Sequence, residues 1–377
     1  MDFGFTEEQR EVQALAKQIL GDQVTAEKLA AYDEYAEPRL DRALWAQLME
    51  AGLPNVAVDE AYGGMGFGFM ELALLMEEAG RTIAPVPLTQ HCVSGLMPVQ
   101  KFAPHAIKER VLPAATRGDL LLTAGMIEHL NEDPSTPVHT TAQRDGDALV
   151  LQGEKRAVPY AAEADAILVA AAMGDDVAVV LVPREAEGVT LTPVHATSFE
   201  PQYDLSLDGV RVEAENVIAY TGGADIMNWT AQRTIAALCA HQLGASDYSM
   251  RLAASYTSER QQFGVPVATF QAVGHRMADC YIDIECLRLT TYQASSLLDS
   301  EAEATTELAI AKIWAGDCGH RVSYATQHVH GGTGIDRDYP LWRYCLWLRH
   351  NEMTLGSSTV HLAALGEEIA SGGGLFS

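Results

Sequence analysis

Six residues stand out for the chemistry that their types and spacing allow. Arg260 offers a planar, permanently charged fork suited to phosphate oxygens. Phe263 offers an apolar ring beside it, and Gln271 an amide that both donates and accepts hydrogen bonds. Gln327 supplies a second amide, and Gly331 and Gly332 let a backbone approach a ligand closely. The set suits a ligand that carries phosphate next to a ring. Each member also has a plainer reading. Arg260 serves equally as a surface ion pair, Phe263 and Phe270 as core residues, and Gly331–Gly332 as a helix terminator.

These positions fall in segments with helical periodicity, roughly 225–258, 270–300, 304–329 and 340–370. Long helices with short connections predict an antiparallel four-helix bundle over 221–377. The N-terminal part, 1–120, also reads as helical. Thr6 with Gln9 fits a capping box ahead of Val12, Leu15, Ala16 and Ile19. A second helix spans 41–51 and stops at Gly52. A Gly-rich turn covers 61–66, and an apolar helix runs from 69 to 79 and ends at Gly80. Ala84-Pro-Val-Pro87 breaks the chain again.

Between these parts, 121–220 changes character. Runs rich in Val, Leu and Thr at 140–144, 148–151, 166–172, 177–182 and 189–193 alternate with turn signals such as Asp145-Gly146-Asp147. The pattern predicts a small antiparallel sheet that ends near Val217. The expected fold class is mostly α with a central antiparallel β domain.

The chain has 377 residues and a formal net charge of -26, from 25 basic and 51 acidic side chains. That balance opposes nucleic acid and anionic membranes, and leaves room for an anionic small ligand in a locally positive site. Six scattered cysteines form no CxxC pair, which suggests neither zinc nor a thioredoxin-type centre. No signal peptide and no run long enough to span a bilayer are visible, so the expected location is cytoplasmic.

Two motifs make the three-part order specific. One is Arg260-Gln-Gln-Phe-Gly264 with Pro266 and Phe270-Gln271. The other is Gln327-His-Val-His-Gly-Gly332 with Gly334 and Tyr339-Pro340. Trp45, Gly52-Leu53, Glu60-Ala-Tyr-Gly-Gly64 and Glu77-Glu-Ala-Gly-Arg81 add to them. On these residues the chain resembles the acyl-CoA dehydrogenases over essentially its whole length. The resemblance implies a helical N-terminal domain, a β-barrel-like middle domain and a C-terminal four-helix bundle. It also implies FAD as cofactor, an acyl-CoA substrate and an electron-transfer flavoprotein as acceptor. In the family the residues matching Arg260, Phe263, Gln271, Gln327, Gly331 and Gly332 contact the ADP half of an FAD bound mainly by a neighbouring subunit, so an oligomer is expected.

The reaction of that family removes a proton alpha to the thioester and needs a carboxylate base. Most members place a glutamate before a glycine in the last long helix, where this chain has Leu355 before Gly356. Some place it on the first bundle helix, where this chain has Thr234 beside Arg233. Glu352 lies three residues before Leu355 on a similar face, either as a displaced base or as an ion-pair partner of Arg349. Asp336 and Asp338 lie in the preceding loop and are poorer candidates.

The flavin-ring motifs also depart from the family. Met126-Ile-Glu128 and Gly153-Glu-Lys155 remain, but Asn131-Glu-Asp-Pro-Ser135 and Arg156-Ala-Val-Pro-Tyr160 replace the usual segments. This combination, with Ala236-Ala-Leu-Cys-Ala240 and Gly244-Ala245, resembles a divergent branch. Its members are partners in two-gene enzymes, such as the small subunit of pimeloyl-CoA dehydrogenase and the heteromeric steroid side-chain dehydrogenases. The resemblance implies a second acyl-CoA dehydrogenase subunit that supplies the glutamate. The alternatives are a self-sufficient homo-oligomer using Glu352, a non-catalytic flavoprotein homologue, and a flavin-dependent relative with other chemistry such as a hydroxylase.

Overall fold

The computed structural model describes residues 4–33, 35 and 38–371. The chain divides into two compact units, one of Met1–Ala30, Ala73–Ala84 and Ile235–Ser377, the other of Ala31–Leu72 and Pro85–Thr234.

The helices are α1 (Glu7–Gln23), α2 (Ala26–Ala30), α3 (Arg42–Glu50), α4 (Phe69–Thr82), α5 (Met97–Phe102), α6 (His105–Thr116), α7 (Gly223–Glu259), α8 (Gln271–Asp299), α9 (Thr305–His330), α10 (Leu341–Met353) and α11 (Ser358–Ala370). The strands are β1 (Leu122–Gly125), β2 (Thr141–Asp145), β3 (Ala148–Pro159), β4 (Ala166–Met173), β5 (Asp176–Pro183), β6 (Val189–His195), β7 (Pro201–Val212), β8 (Val217–Ala219) and the short pair β9 (Gln261–Gln262) and β10 (Val265–Pro266).

Local chemistry explains where several helices begin. The Thr6 hydroxyl accepts from Gln9 N, and the Gln9 amide accepts from Thr6 N, so the expected capping box starts α1. Asp41 caps α3 through the N–H groups of Ala43 and Leu44, and Gly52 follows in the left-handed conformation at φ 74.

Gly80 does not end α4 as the sequence suggested. The helix runs on to Thr82 because Gly80 serves packing instead. A Cβ there would lie 1.9 Å from the His241 carbonyl of α7, and one at Gly244 of α7 would lie 1.8 Å from the Glu77 carbonyl. The two helices therefore cross with backbone against backbone, which only glycine permits.

A buried charge network joins α4, α7 and α8 within the same unit. Glu77 accepts from Arg81 at 2.9 Å, Arg288 at 3.0 Å and the Tyr292 hydroxyl at 2.6 Å. Asp247 pairs with Arg81 and, at 2.9 Å, with Arg251. Buried carboxylates persist here because each is matched by guanidinium donors.

The other unit holds the sheet, in the order β6-β7-β3-β2-β4-β5-β8 with β1 on β4. Most pairings are antiparallel, as expected, but β1 runs parallel to β4 and β2 meets β4 in parallel at Thr141↔Ala172. The sheet is thus mixed. Ile167, Val169 and Ala171 of β4 share one core with Val180 and Val182 of β5 and with Leu205 and Leu207 of β7. The strand period of two brings those alternate residues to one face.

Ahead of β1, residues Thr89–Leu96 form a π-helix. Buried His91 anchors it, because its Nδ1 accepts the Leu122 N–H at 3.1 Å. Burial pushes the His91 pKa down to about 3, so the ring is neutral with its proton on Nε2.

The bundle holds one departure from expectation. The segment read as a single helix over 340–370 is two, α10 and α11, broken at 354–357. The break falls at Leu355 and Gly356, where the resemblance implies a glutamate before a glycine in most members of the family.

Candidate functional site

Arg260 follows the last residue of α7, and its N–H still bonds to the Tyr256 carbonyl at 2.8 Å. Its own carbonyl accepts from Val267 N, which closes the β9–β10 hairpin. The hairpin turns on Phe263 at φ 56 and Gly264 at φ 82. Two successive positive φ values are the requirement of a type I′ turn. Glycine meets it freely, whereas phenylalanine does so at a cost of about 1–2 kcal/mol. The Phe263 ring is 93% exposed and touches Phe270 edge-on, at 6.1 Å between centroids. An exposed aromatic ring on strained backbone is a presented surface, not a core residue.

Gln271 is the first residue of α8, where the helix N–H groups lack intrahelical acceptors, and it is exposed. Gln327 lies in the last turn of α9 and is half-buried. Gly331 caps α9 at φ 62 through its N–H to the Gln327 and His328 carbonyls. A Cβ on Gly331 or Gly332 would meet nothing within 4 Å. The helix-ending role of Gly331 and the open space above the pair are both present.

The ends of α7 and α9 are joined by residues the sequence reading did not single out. The Tyr256 ring stacks on His330 at 4.3 Å, and its hydroxyl reaches the His330 carbonyl at 3.4 Å and the Thr333 hydroxyl at 3.3 Å. His330 Nε2 lies 3.1 Å from the Tyr339 hydroxyl. His330 and Tyr339 lie within the two quoted motifs, and Tyr256 sits one helical turn before Arg260. That one-turn spacing is the signal by which it could have been found. The donor set of Arg260, Gln271 and Gln327, with open glycines and an exposed ring, fits the pyrophosphate and adenosine portions of a dinucleotide.

The two positions where the resemblance implies a base carry Leu355 and Thr234. Leu355 is 6% exposed and left-handed at φ 54, followed by Gly356 at φ 91. His361 fixes this turn by donating from Nε2 to the Leu355 carbonyl at 2.9 Å. Burial lowers the His361 pKa, so the ring is held in its neutral form. The buried Lys312 caps the end of α10 through the carbonyls of Asn351 at 2.6 Å and Glu352 at 3.4 Å. Cation on carbonyls at a helix C-terminus is a favourable arrangement. The turn is firmly built, and its side chain carries no titratable group.

Thr234 is buried. Its hydroxyl donates to the Thr230 carbonyl at 2.8 Å and meets the Ser94 hydroxyl at 3.0 Å. Arg233 stacks over Trp229 at 3.7 Å. Glu352 is paired by Arg349, and His320 Nδ1 lies 3.4 Å from it. The ion-pair reading of Glu352 is the one realised. Asp336 and Asp338 stay in the loop between α9 and α10, both exposed.

On the flavin-ring side, the retained Glu128 is consumed internally. Its carboxylate takes Lys155 Nζ at 2.7 Å and the N–H groups of Val138, His139 and Thr140 at 2.6, 2.7 and 3.1 Å. Burial works to raise its pKa, but the His139 and Lys155 hydrogen bonds outweigh it and hold the group at about 2. Asn131, Asp133, Ser135 and Thr136 bond to one another across the same loop. In β3, Ala157 at φ 49 marks a bulge, and Tyr160 turns inward to bond the Arg39 carbonyl at 3.1 Å. Asn131, Asp133, Ser135 and Tyr160 are thus engaged within the chain.

Comparison with known proteins matches residues 6–119 to the acyl-CoA dehydrogenase N-terminal domain and residues 221–370 to the acyl-CoA dehydrogenase C-terminal domain. Acyl-CoA dehydrogenase FadE27 of Mycobacterium tuberculosis is 33% identical, covering 98% of this chain and 99% of that protein. Among solved structures, the ChsE4-ChsE5 complex from Mycobacterium tuberculosis superposes with a TM-score of 0.92 at 33% identity, covering 98% of this chain and 99% of the matched one. The Tcur3481-Tcur3483 steroid acyl-CoA dehydrogenase does so with a TM-score of 0.89 at 38% identity, covering 97% and 98%. Together with the helix–sheet–helix order and the motifs at the ends of α7 and α9, these matches establish that the chain belongs to the acyl-CoA dehydrogenase family, whose members are FAD-dependent enzymes.

Proposed function

We propose that this chain works as one half of a composite site in a heteromeric acyl-CoA dehydrogenase. Arg260, Phe263, Gln271, Gln327, Gly331 and Gly332 clamp the ADP half of FAD. A second acyl-CoA dehydrogenase subunit supplies the flavin-ring contacts and the glutamate that takes the alpha proton. The reaction is the alpha,beta-dehydrogenation of an acyl-CoA thioester, in which FAD serves as hydride acceptor. Electrons then pass to an electron-transfer flavoprotein.

One contrast carries this reading. Of the ADP-side donors Arg260 and Gln271 are exposed and Gln327 is half-buried, whereas the base position is Leu355 and the nearby Glu352 is ion-paired. Two similar solved structures are named as two-component assemblies, which supports a partner of the same family. The name of one of them supports a steroid-derived acyl group over a short straight chain. The limits of the family matches support 1–120, 121–220 and 221–377 as the domains. Among the described residues no helix is long and apolar enough to cross a membrane, which supports the proposed cytoplasmic location.

The test is the visible spectrum and flavin content of the purified chain, alone and co-expressed with a second acyl-CoA dehydrogenase chain. A colourless lone chain and a yellow mixed complex with about one flavin per pair are expected. A lone chain that holds one flavin per subunit and bleaches with an acyl-CoA overturns the shared site.

A further inference from the structure

A base at position 234 must come within about 3 Å of the carbon it deprotonates, so the space beside that residue is where an acyl thioester would lie. In this chain another side chain takes that space. Ser94 of the π-helix meets the Thr234 hydroxyl at 3.0 Å, and the two residues are only 5% and 6% exposed. A threonine beside a channel wide enough for an acyl chain would be open to water. The order of the hydrogen bonds is fixed as well. Thr234 donates to the Thr230 carbonyl at 2.8 Å, so Ser94 donates to Thr234, and each hydroxyl has spent its one proton. The flank is closed too. Buried Arg233 lies over the Trp229 ring at 3.7 Å, and Trp229 meets Phe102 edge-on at 5.2 Å.

The π-helix is also pinned from behind. Every residue of Thr89–Leu96 except Gln90 is buried. His91 accepts the Leu122 N–H of β1 at 3.1 Å, and a Cβ on Gly95 would lie 2.6 Å from the Leu122 Cβ. Gln90 donates to the buried Glu200 at 2.9 Å. The wide π turn therefore spans from β1 on one side to Thr234 of α7 on the other. π-turns are rare, and they cluster where a helix must place a side chain that an α-turn would not. Drawing Ser94 back from Thr234 means unpacking the π-helix from β1 and leaving buried polar groups without partners, not turning a single side chain.

We infer that the π-helix Thr89–Leu96 is a fixed stopper in this chain. Ser94 fills the space beside position 234 that an acyl thioester would need, and the chain holds no acyl-CoA of its own. This goes beyond the composite-site reading. That reading gives the base and the flavin-ring contacts to a partner, but it leaves this chain free to carry an idle substrate.

The experiment counts bound thioester. Two enoyl-CoA probes, already dehydrogenated and so inert toward the flavin, are titrated by calorimetry into the full lone chain and into the mixed complex. One probe carries a steroid side chain and the other a short straight chain. The titrations are repeated on Ser94→Cys with Thr234→Cys, oxidised and reduced, because hydroxyls 3.0 Å apart bring the replacing sulfurs within reach of a disulfide. The lone chain is expected to bind neither probe, and the mixed complex at most one thioester per pair. The count is expected to be the same with the disulfide closed or open. Binding by the lone chain, or two thioesters per pair, overturns the stopper. So does a count that falls by one when the disulfide closes. If the double variant does not fold, the counts on the unmodified protein decide. Flavin content of the same samples keeps the two readings apart. Two thioesters with one flavin per pair sink the stopper and leave the composite site standing. A lone chain that holds one flavin and no thioester does the reverse.

Discussion

The ring of Tyr256 lies flat on the imidazole of His330 at 4.3 Å, and through this contact the end of α7 is held to the end of α9. The two motifs that carry the proposed ADP contacts are distant in sequence, and this pair is what fixes one relative to the other. An aromatic stack of this kind is worth about 0.5–1.5 kcal/mol. Tyr256→Leu is expected to weaken flavin binding by the mixed complex about tenfold, while Tyr256→Phe, which keeps the stack, changes it less than threefold. Flavin fluorescence titration distinguishes them, and equal losses in both variants sink the positioning role.

Arg260→Ala tests the phosphate contact directly. The side chain is exposed, so folding is expected to be unchanged within about 0.5 kcal/mol. Loss of a charged hydrogen bond worth about 1.5–3 kcal/mol corresponds to flavin affinity roughly 10- to 100-fold lower. Arg260→Lys is expected to recover only part of that, because a point charge cannot reproduce the fork. Full flavin retention in the alanine variant removes Arg260 from the site.

Glu352→Gln separates the composite site from a self-sufficient one. The carboxylate is already paired with Arg349 and approached by His320. Turnover of the mixed complex is expected to stay within about twofold of the unmodified rate. A fall of roughly a hundredfold or more, the scale of general base catalysis, makes Glu352 the base instead.

Glu128 predicts a pH dependence of stability. Its folded pKa of about 2 lies below its ordinary value of 4.5. A depressed carboxylate pKa contributes stability that is fully present above the unfolded value and is lost as pH falls through the folded one. The difference corresponds to about 3 kcal/mol, lost progressively between about pH 5 and pH 2. Denaturant midpoints measured across that range should fall more steeply for the unmodified chain than for Glu128→Gln. Parallel curves contradict the assignment.

Much of the fold was legible because its signals are local. The Thr6–Gln9 box, the Asp41 cap and the turn-bounded apolar runs each depend on neighbours in sequence. β7 and the π-helix at Thr89–Leu96 were missed. β7 is long and mixes buried with exposed positions, with polar residues such as Asp204, Ser206 and Asp208 breaking its apolar run. The π-helix follows Pro85 and Pro87, which read as the start of a loop. Gly80 was misjudged because a glycine that ends a helix and a glycine that lets another backbone in look alike until the second helix is present. At the site, the motif residues were legible as types at fixed spacing. What the sequence could not convey was engagement: that Glu352 is paired, that Glu128 is spent on Lys155 and a loop, and that Phe263 is held outward on strained backbone.

The turn at Leu355 has a consequence for protein engineering. Its shape is imposed from outside, by His361 on its carbonyl, by Lys312 at the end of α10 and by Gly356 behind it. A backbone shaped by its surroundings is largely indifferent to the side chain it carries. Position 355 is thus a socket, and fitting it with a carboxylate asks for one substitution and no redesign of the loop around it.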